Sequence, residues 1–451
     1  MNNWIQDAVF YHIYPLGFCA APQQNDFHSA PENRLSKIAA WLDHIQSLGV
    51  NAIYLGPLCE SSAHGYDTAD YYQVDRRLGT RESLASLTAE IHRRGMRVIF
   101  DGVFNHTGRD FWAFKDVQTY REGSIYKDWF AGLRFDRSSP YQDPFAYEGW
   151  NGHYDLVKLN LGHPHVRAHL LDAVKQWIET YQIDGLRLDA ADCVDHGFLQ
   201  ELARVCRSLR PDFWLMGEVV GGDYRQWIRP EELDATTNYE AYKGLYSSHN
   251  DHNYFEIAYS LNRQFGPEGI YANLPLYNFV DNHDVNRIAS TLKDPAHLVP
   301  LHVLLFTMPG VPSVYYGSEF GIPGVKAQTD WPLRPSLDLD QLRRQSPHPN
   351  LPADIRRLAD LRRRLPALRQ GDYRQLSVEP LSLAFTRQTT GQQVIVAVNA
   401  AGSPADMNVK MSSNGSATMI DELNGGEPVR LTQGQARFTV PAGWARVFRI
   451  D

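Results

Sequence analysis

Apolar residues recur along this chain in two alternating modes, short runs with the period of a strand and longer stretches with the period of a helix. The strand-like runs are Val9 to Tyr14, Ala52 to Leu55, Arg97 to Phe100, Gly185 to Leu188, Phe213 to Met216, Asp234 to Thr237, Leu276 to Val280 and Ser313 to Tyr316. Between them, Leu35 to Leu48 stops at Gly49, Glu82 to Arg94 stops at Gly95, and Val166 to Tyr181 repeats its apolar residues at helical spacing. Strands that alternate with crossover helices pair in parallel. Eight of them predict an α/β fold, a (β/α)8 TIM barrel whose working face lies at the C-terminal ends of the strands.

Two stretches break the rhythm. The connection between the third and fourth runs is far longer than one crossover helix requires, and Trp112, Phe114, Tyr120, Tyr126, Trp129, Phe130, Phe135, Tyr141, Phe145, Tyr147, Trp150 and Tyr154 crowd into it. A connection of this length is a functional loop or a small subdomain. Most of these rings are expected to form its own core, leaving a minority to stack on a ligand. After the arginine-rich helical stretch Ala353 to Leu365 the period drops from about 3.6 to about 2. Leu381 to Phe385, Val394 to Val398, Ala436 to Val440 and Arg446 to Ile450, separated by Gly, Pro, Asn and Ser, then read as a C-terminal antiparallel β-sandwich. The expected organisation is a barrel over residues 1–104 and 158–370, an inserted subdomain over 105–157 and the sandwich over 371–451, with Gln328 to Pro352 as a long loop of the barrel.

Composition narrows the function classes. A hydrophobic fraction of 43% with 21% charged residues is globular, and a net charge of -8 offers no basic footprint for nucleic acid. No apolar run approaches the roughly 18 residues of a membrane helix, and Met1 to Asp7 lacks the basic and apolar regions of a secretion signal. Cys19, Cys59, Cys193 and Cys206 show no metal-ligand or redox spacing, which fits reduced thiols in a cytoplasm.

The chemistry collects at strand ends. In Gly185-Leu-Arg-Leu-Asp189 the period of two puts Leu186 and Leu188 toward the helices and Arg187 and Asp189 toward the barrel axis. Arg187 is expected to keep Asp189 ionised, as a carboxylate nucleophile requires. The next strand ends in Trp214-Leu-Met-Gly-Glu218. Neighbouring strands lie about 4.8 Å apart, so Asp189 and Glu218 are expected on the order of 5 Å apart, the separation of a retaining glycosidase. Val219 and Val220 beside Glu218 predict an apolar setting suited to a general acid/base. Asp281-Asn-His-Asp284 brings His283 and a third acid to the same rim, and Asp101-Gly-Val-Phe-Asn-His106 brings a second histidine able to bind sugar hydroxyls.

In order, spacing and residue type, these four segments resemble the signature segments of the α-amylase family of glycoside hydrolases, glycoside hydrolase family 13. The resemblance implies that Asp189 is the nucleophile, Glu218 the acid/base and Asp284 the stabiliser of the transition state, with Arg187, His106 and His283 around the cleaved sugar. It makes Tyr66 of His64-Gly-Tyr-Asp67 a stacking ring with Asp67 beside it, and Asp330 and Arg334 a pair binding the next sugar. Val157-Lys-Leu-Asn160 followed by His163-Pro is similar to a segment of the cyclomaltodextrinase, neopullulanase and maltogenic amylase branch. That branch usually carries an N-terminal dimerisation domain, whereas the first strand here begins near Val9, which leaves monomer and homodimer both open. The implied activity is hydrolysis of α-1,4 bonds in cyclodextrins or short maltooligosaccharides. A 4-α-glucanotransferase or glucosyl-isomerising enzyme with the same three acids is the alternative, and a non-catalytic sugar-binding protein is a rival of another class. No cofactor or catalytic metal is expected. Asn105, Asp110 and the acids of the insertion are the candidates for a structural calcium ion of the kind many relatives bind, but with no EF-hand-like loop or dense acidic run they read more readily as solvated surface groups.

Overall fold

A computed structural model describes residues 4–411 and 415–451. Residues 1–3, at the start of the expected barrel, and 412–414, within the expected sandwich, lie outside the described residues. The strands are Phe10–Ile13, Ala52–Leu55, Arg97–Gly102, Gly185–Leu188, Trp214–Gly217, Ala235–Thr236, Tyr277–Asn278 and Val311–Tyr315. They form one parallel sheet in the order sixth, fifth, fourth, third, second, first, eighth, seventh. A parallel bridge between Thr237 and Tyr277 joins its two ends and closes the barrel. The sixth and seventh strands are shorter than their apolar runs predict. Side-chain amides replace the ladder there: Asn238 donates to Asn278, and Asn278 donates to the Pro309 carbonyl.

Strand parity sorts the barrel into layers. Phe10, Ala52, Ile99, Trp214, Met216, Ala235, Tyr277 and Val311 fill the interior, with Phe10 stacked on Trp214 at 5.5 Å between ring centroids. The alternate residues, among them Ile53, Leu55, Val98, Leu186, Leu188 and Leu215, pack outward against the helices. One step further along the inward faces come His12, Tyr54, Asp101 and Arg187, so the interior turns from apolar to charged toward the C-terminal rim.

In the insertion, His106–Gly108, His153–Lys158 and Gly149–Trp150 form a three-stranded antiparallel sheet. Phe114 packs on Phe130 at 5.1 Å and on Tyr147 at 5.0 Å, the core expected of these rings, while Tyr120 and Tyr141 stay exposed. Arg109 closes this unit with a two-pronged ion pair to Asp143 at 2.8 and 2.9 Å. The polar stretch expected as loop, Gln328 to Pro352, contains the short helix Leu339–Gln345, which Asp338 caps by accepting from Gln341 N at 2.7 Å. The C-terminal unit is a six-stranded antiparallel sheet faced by the pair Ala405–Lys410 and Gln435–Val440. Met407, Val409, Phe438 and Val440 meet Ala384, Ile395 and Phe448 between the layers. Among the described residues no helix is long and apolar enough to cross a membrane.

Candidate active site

The fourth and fifth strands build the centre of the site. Asp101 and Arg187 are register partners, as are Leu188 and Gly217. The next rung is completed by Glu218 N donating to Leu188 O at 2.9 Å and Asp189 N donating to Gly102 O at 3.0 Å. Glu218 therefore stands beside Asp189 on the inner side of the rim. The strand must turn sharply after Asp189, and Ala190 does so in the left-handed region at φ 45° and ψ 45°, an uncommon conformation for a residue with a side chain. The turn aims the Ala190 N–H at Glu218 Oε2, 3.1 Å away.

Arg187 organises the carboxylates. It is 3% exposed, and its guanidinium reaches Asp101 at 2.9 Å, Asp189 Oδ1 at 2.9 Å and Glu218 Oε1 at 2.8 Å. Tyr54 at 2.6 Å and Tyr66 at 3.1 Å donate their hydroxyls to Asp101 Oδ2. One buried cation thus meets three anions. Burial raises the Asp189 carboxyl well above the usual range, and Glu218, Asp101 and Asp284 add to this against the lowering by Arg187. Arg187 lowers the Asp189 carboxyl as the sequence leads one to expect, but its single guanidinium is shared among three carboxylates and burial outweighs it. The apolar setting expected around Glu218 is corrected, since Val220 points to solvent while Arg187, the Ala190 N–H and Tyr239 surround the carboxyl.

On the opposite side Asp284 is held ionised. Burial opposes its charge, but His283 at 2.9 Å, Arg334 at 2.9 Å and the nearby Arg187 together keep the carboxyl far below its usual range. Tyr66 hydrogen-bonds His283 Nε2, and the two rings lie parallel at 5.4 Å. His106 Nε2 sits 3.7 Å from Asp189 Oδ2 without a hydrogen-bond partner, and burial pushes this histidine down to about 3. It is a neutral ring with a free polar atom next to Asp189. Trp150 of the insertion pairs with His106 at 5.7 Å, and its own buried Nε1 has no partner.

The other expected residues lie around this centre with different contacts. Arg334 is buried over the Tyr14 ring at 4.4 Å, donates to the His283 carbonyl and Asp284, and reaches Asp330 at 3.2 Å. It braces Asp284. Asp67 accepts the N–H groups of His64 and Gly65, both at 3.1 Å, and so fixes the turn that carries Tyr66. The Asn105 amide nitrogen is engaged with His106, and Asp110 is paired with Lys115 at 2.7 Å and bonded to Ser62 at 2.7 Å. Among the described residues no group of three or more His, Cys, Asp or Glu could hold a metal ion. The sequence shows Asp101 at a strand end and, by parity with Ile99, facing inward, but assigns it no role. Asn282 stands within Asp281-Asn-His-Asp284 without a role of its own, while His12, stacked under the rim on Tyr54 at 4.1 Å, and Tyr239 carry no comparable signal.

The family profile described as alpha amylase, catalytic domain, matches residues 12–349. The chain belongs to the alpha-amylase family. A cyclomaltodextrinase from Bacillus sp is 33% identical over 423 residues, covering 88% of this chain and 73% of that protein. Among solved structures, a debranching enzyme from Nostoc punctiforme superposes with a TM-score of 0.83 at 30% identity over 99% of this chain and 98% of its own. A cyclic alpha-maltosyl-(1-->6)-maltose hydrolase from Arthrobacter globiformis, in its ligand-free form, gives 0.80 at 29% identity over 98% and 99%. As an alpha-amylase family member the chain is a glycoside hydrolase.

Proposed function

We propose that the protein is a retaining α-glucan hydrolase that cleaves α-1,4 bonds of cyclodextrins or short maltooligosaccharides. The observation that carries this reading is the pair of carboxylates on one rung, Asp189 and Glu218, gripped by the two terminal nitrogens of Arg187. Neighbouring parallel strands bring such groups to about 5 Å, which leaves no room for a water between carboxylate and sugar. In the first step Asp189 attacks the anomeric carbon while Glu218 gives its proton to the glycosidic oxygen, and the leaving sugar departs as an alcohol. In the second, Glu218 takes a proton from water, the hydroxide attacks the same carbon, and Asp189 leaves as a carboxylate. Asp284, pinned ionised by His283 and Arg334, faces the positive charge that develops on the ring between the two steps. His106 and Trp150 offer polar atoms without partners to sugar hydroxyls.

NMR of the anomeric proton during early hydrolysis of β-cyclodextrin tests the stereochemistry. The α-anomer is expected first, and a β-anomer would place a water between the two acids. Competition between β-cyclodextrin and soluble starch tests the substrate class. A preference for the cyclic glucan of about tenfold in kcat/KM, equivalent to one contact of ~1.4 kcal/mol, is expected, and a preference for starch removes the short-substrate reading. A second reading, cleavage of α-1,6 bonds in cyclic or branched glucans, is supported by the end-to-end match to the two solved enzymes whose names specify such linkages or debranching. Release of maltose from cyclic α-maltosyl-(1→6)-maltose without action on β-cyclodextrin would favour it.

A further inference from the structure

The fifth and seventh strand ends are joined by a hydrogen-bonded chain that none of the four signature segments contains in full. Asn282 lies between His283 and the seventh strand, and its Oδ1 accepts from Asp284 N at 2.8 Å and Val285 N at 3.2 Å, fixing the turn that presents Asp284. Its amide nitrogen donates to the Tyr239 hydroxyl at 3.2 Å. With one acceptor site filled by Asn282, that hydroxyl has its own proton to give, and the acceptor in front of it is Glu218 Oε1 at 3.5 Å. Tyr239 cannot easily turn away. It opens the helix Tyr239–Asn250, Asn238 caps that helix through Ala241 N at 3.0 Å, and the ring lies edge-on to Phe279 at 4.9 Å.

We propose that Tyr239 is a positioning residue for the acid/base carboxyl, acting through Glu218 and coupled by Asn282 to the Asp284 turn. This rests on the reading of Glu218 as proton donor. The other partners of Glu218 support the division of labour. Arg187 binds Oε1 at 2.8 Å and the Ala190 N–H binds Oε2 at 3.1 Å, so both oxygens are held from the side of Asp189. Tyr239 is the third contact and shares Oε1 with Arg187. It limits rotation of the carboxyl about its last bond, which would swing the proton away from the glycosidic oxygen. The role is confined to proton delivery: among the described residues the Tyr239 hydroxyl makes no hydrogen bond to Asp189 or Arg187, and ground-state binding of the sugar is left to His106, His283 and Trp150.

Tyr239→Phe keeps the ring on Phe279 and removes only the hydroxyl, so its thermal midpoint should match that of the parent. On β-cyclodextrin, whose leaving group needs a proton, kcat should fall tenfold or more with KM unchanged within about twofold, the mark of an interaction made in the transition state. On p-nitrophenyl α-maltoside, cleaved at the nitrophenolate, the loss should stay below threefold because that group leaves without a proton. Equal losses on both substrates, a loss carried by KM, or unchanged activity on β-cyclodextrin would each overturn the proposal. If the parent enzyme cleaves neither substrate, the α-1,4 reading on which this proposal rests fails. If Glu218→Gln is as slow on the nitrophenyl substrate as on the cyclodextrin, its assignment as proton donor fails, whatever Tyr239 does.

Discussion

Buried arginines occupy two regions of this molecule under opposite rules. At the barrel rim Arg187 is surrounded by Asp101, Asp189 and Glu218. At the seam between barrel and C-terminal sheet, Arg362 and Arg387 are buried to 1% exposure and form no ion pair among the described residues. Arg362 donates to the carbonyls of Leu368 at 2.8 Å and Gly310 at 2.6 Å, and Arg387 to those of Thr307, Leu368 and Gly371 at 2.6 to 3.1 Å. These carbonyls lie at or just past the ends of the helices Leu298–Thr307 and Pro366–Gln370, where helix dipoles present partial negative charge. The seam satisfies two cations with fixed dipoles, and what surplus charge it holds is positive. The rim crowds anions beyond what one cation neutralises. That surplus costs stability, and it is what a reaction with a developing positive charge requires.

Exchanging the rim arginine should give the largest effect. Lysine has no planar fork and cannot hold three carboxylates at once, so Arg187→Lys should lower kcat/KM on the order of a thousandfold, the equivalent of ~4 kcal/mol of lost charged hydrogen bonds, as steady-state kinetics would record. The seam should respond in the other coordinate. Arg362→Leu leaves buried carbonyls without donors and should cost about 3 kcal/mol in urea unfolding while kcat stays within about threefold. A large kcat loss at Arg362 would erase the distinction between the two regions.

A third outcome tests the surplus of negative charge directly. The Asp189 carboxyl titrates higher in the folded than in the unfolded chain, so its contribution is fully favourable below the unfolded value near 4 and is lost as pH rises through the folded one. Asp189→Asn should abolish turnover but raise the thermal midpoint at pH 8, and the gain should shrink toward pH 4. Asp284 has the opposite sign, because its carboxyl titrates below the unfolded value. Its contribution is present above pH ~4 and fades as pH falls further, so Asp284→Asn should destabilise at pH 8. Equal effects of the two substitutions would mean that the anions are not arranged as surplus and stabiliser. The smallest effect is expected at His106, which is already neutral over the working range. His106→Gln should raise KM for β-cyclodextrin a few-fold, as the loss of one hydrogen bond implies, and leave the acid limb of the pH profile where it is.

Much of this was written along the chain. The period of two within Gly185-Leu-Arg-Leu-Asp189 and Trp214-Leu-Met-Gly-Glu218 is a local property, and it alone decides that Arg187, Asp189 and Glu218 face inward while Leu186, Leu188 and Leu215 face the helices. The alternation of strands and helices determined the barrel, and the change of period near Leu381 determined the C-terminal sheets, because burying one face of an element is a demand each segment expresses by itself. Ends of elements were less legible. The sixth and seventh strands stop early because amides from Asn238 and Asn278, distant in sequence, take over the ladder. What only the tertiary structure decided are the terms summed over many neighbours. Residue identity says that Arg187 lowers the Asp189 carboxyl, but the sign of the total depends on how many other carboxylates share that guanidinium and how little water reaches them. The same holds for Tyr239, an unremarkable tyrosine in Thr237-Asn-Tyr-Glu240 until closure of the barrel sets its hydroxyl between Asn282 and Glu218. Parity is carried by a few covalent bonds and survives in the sequence. Charge balance and orientation are set by contacts across the closed barrel, and they exist only once it has formed.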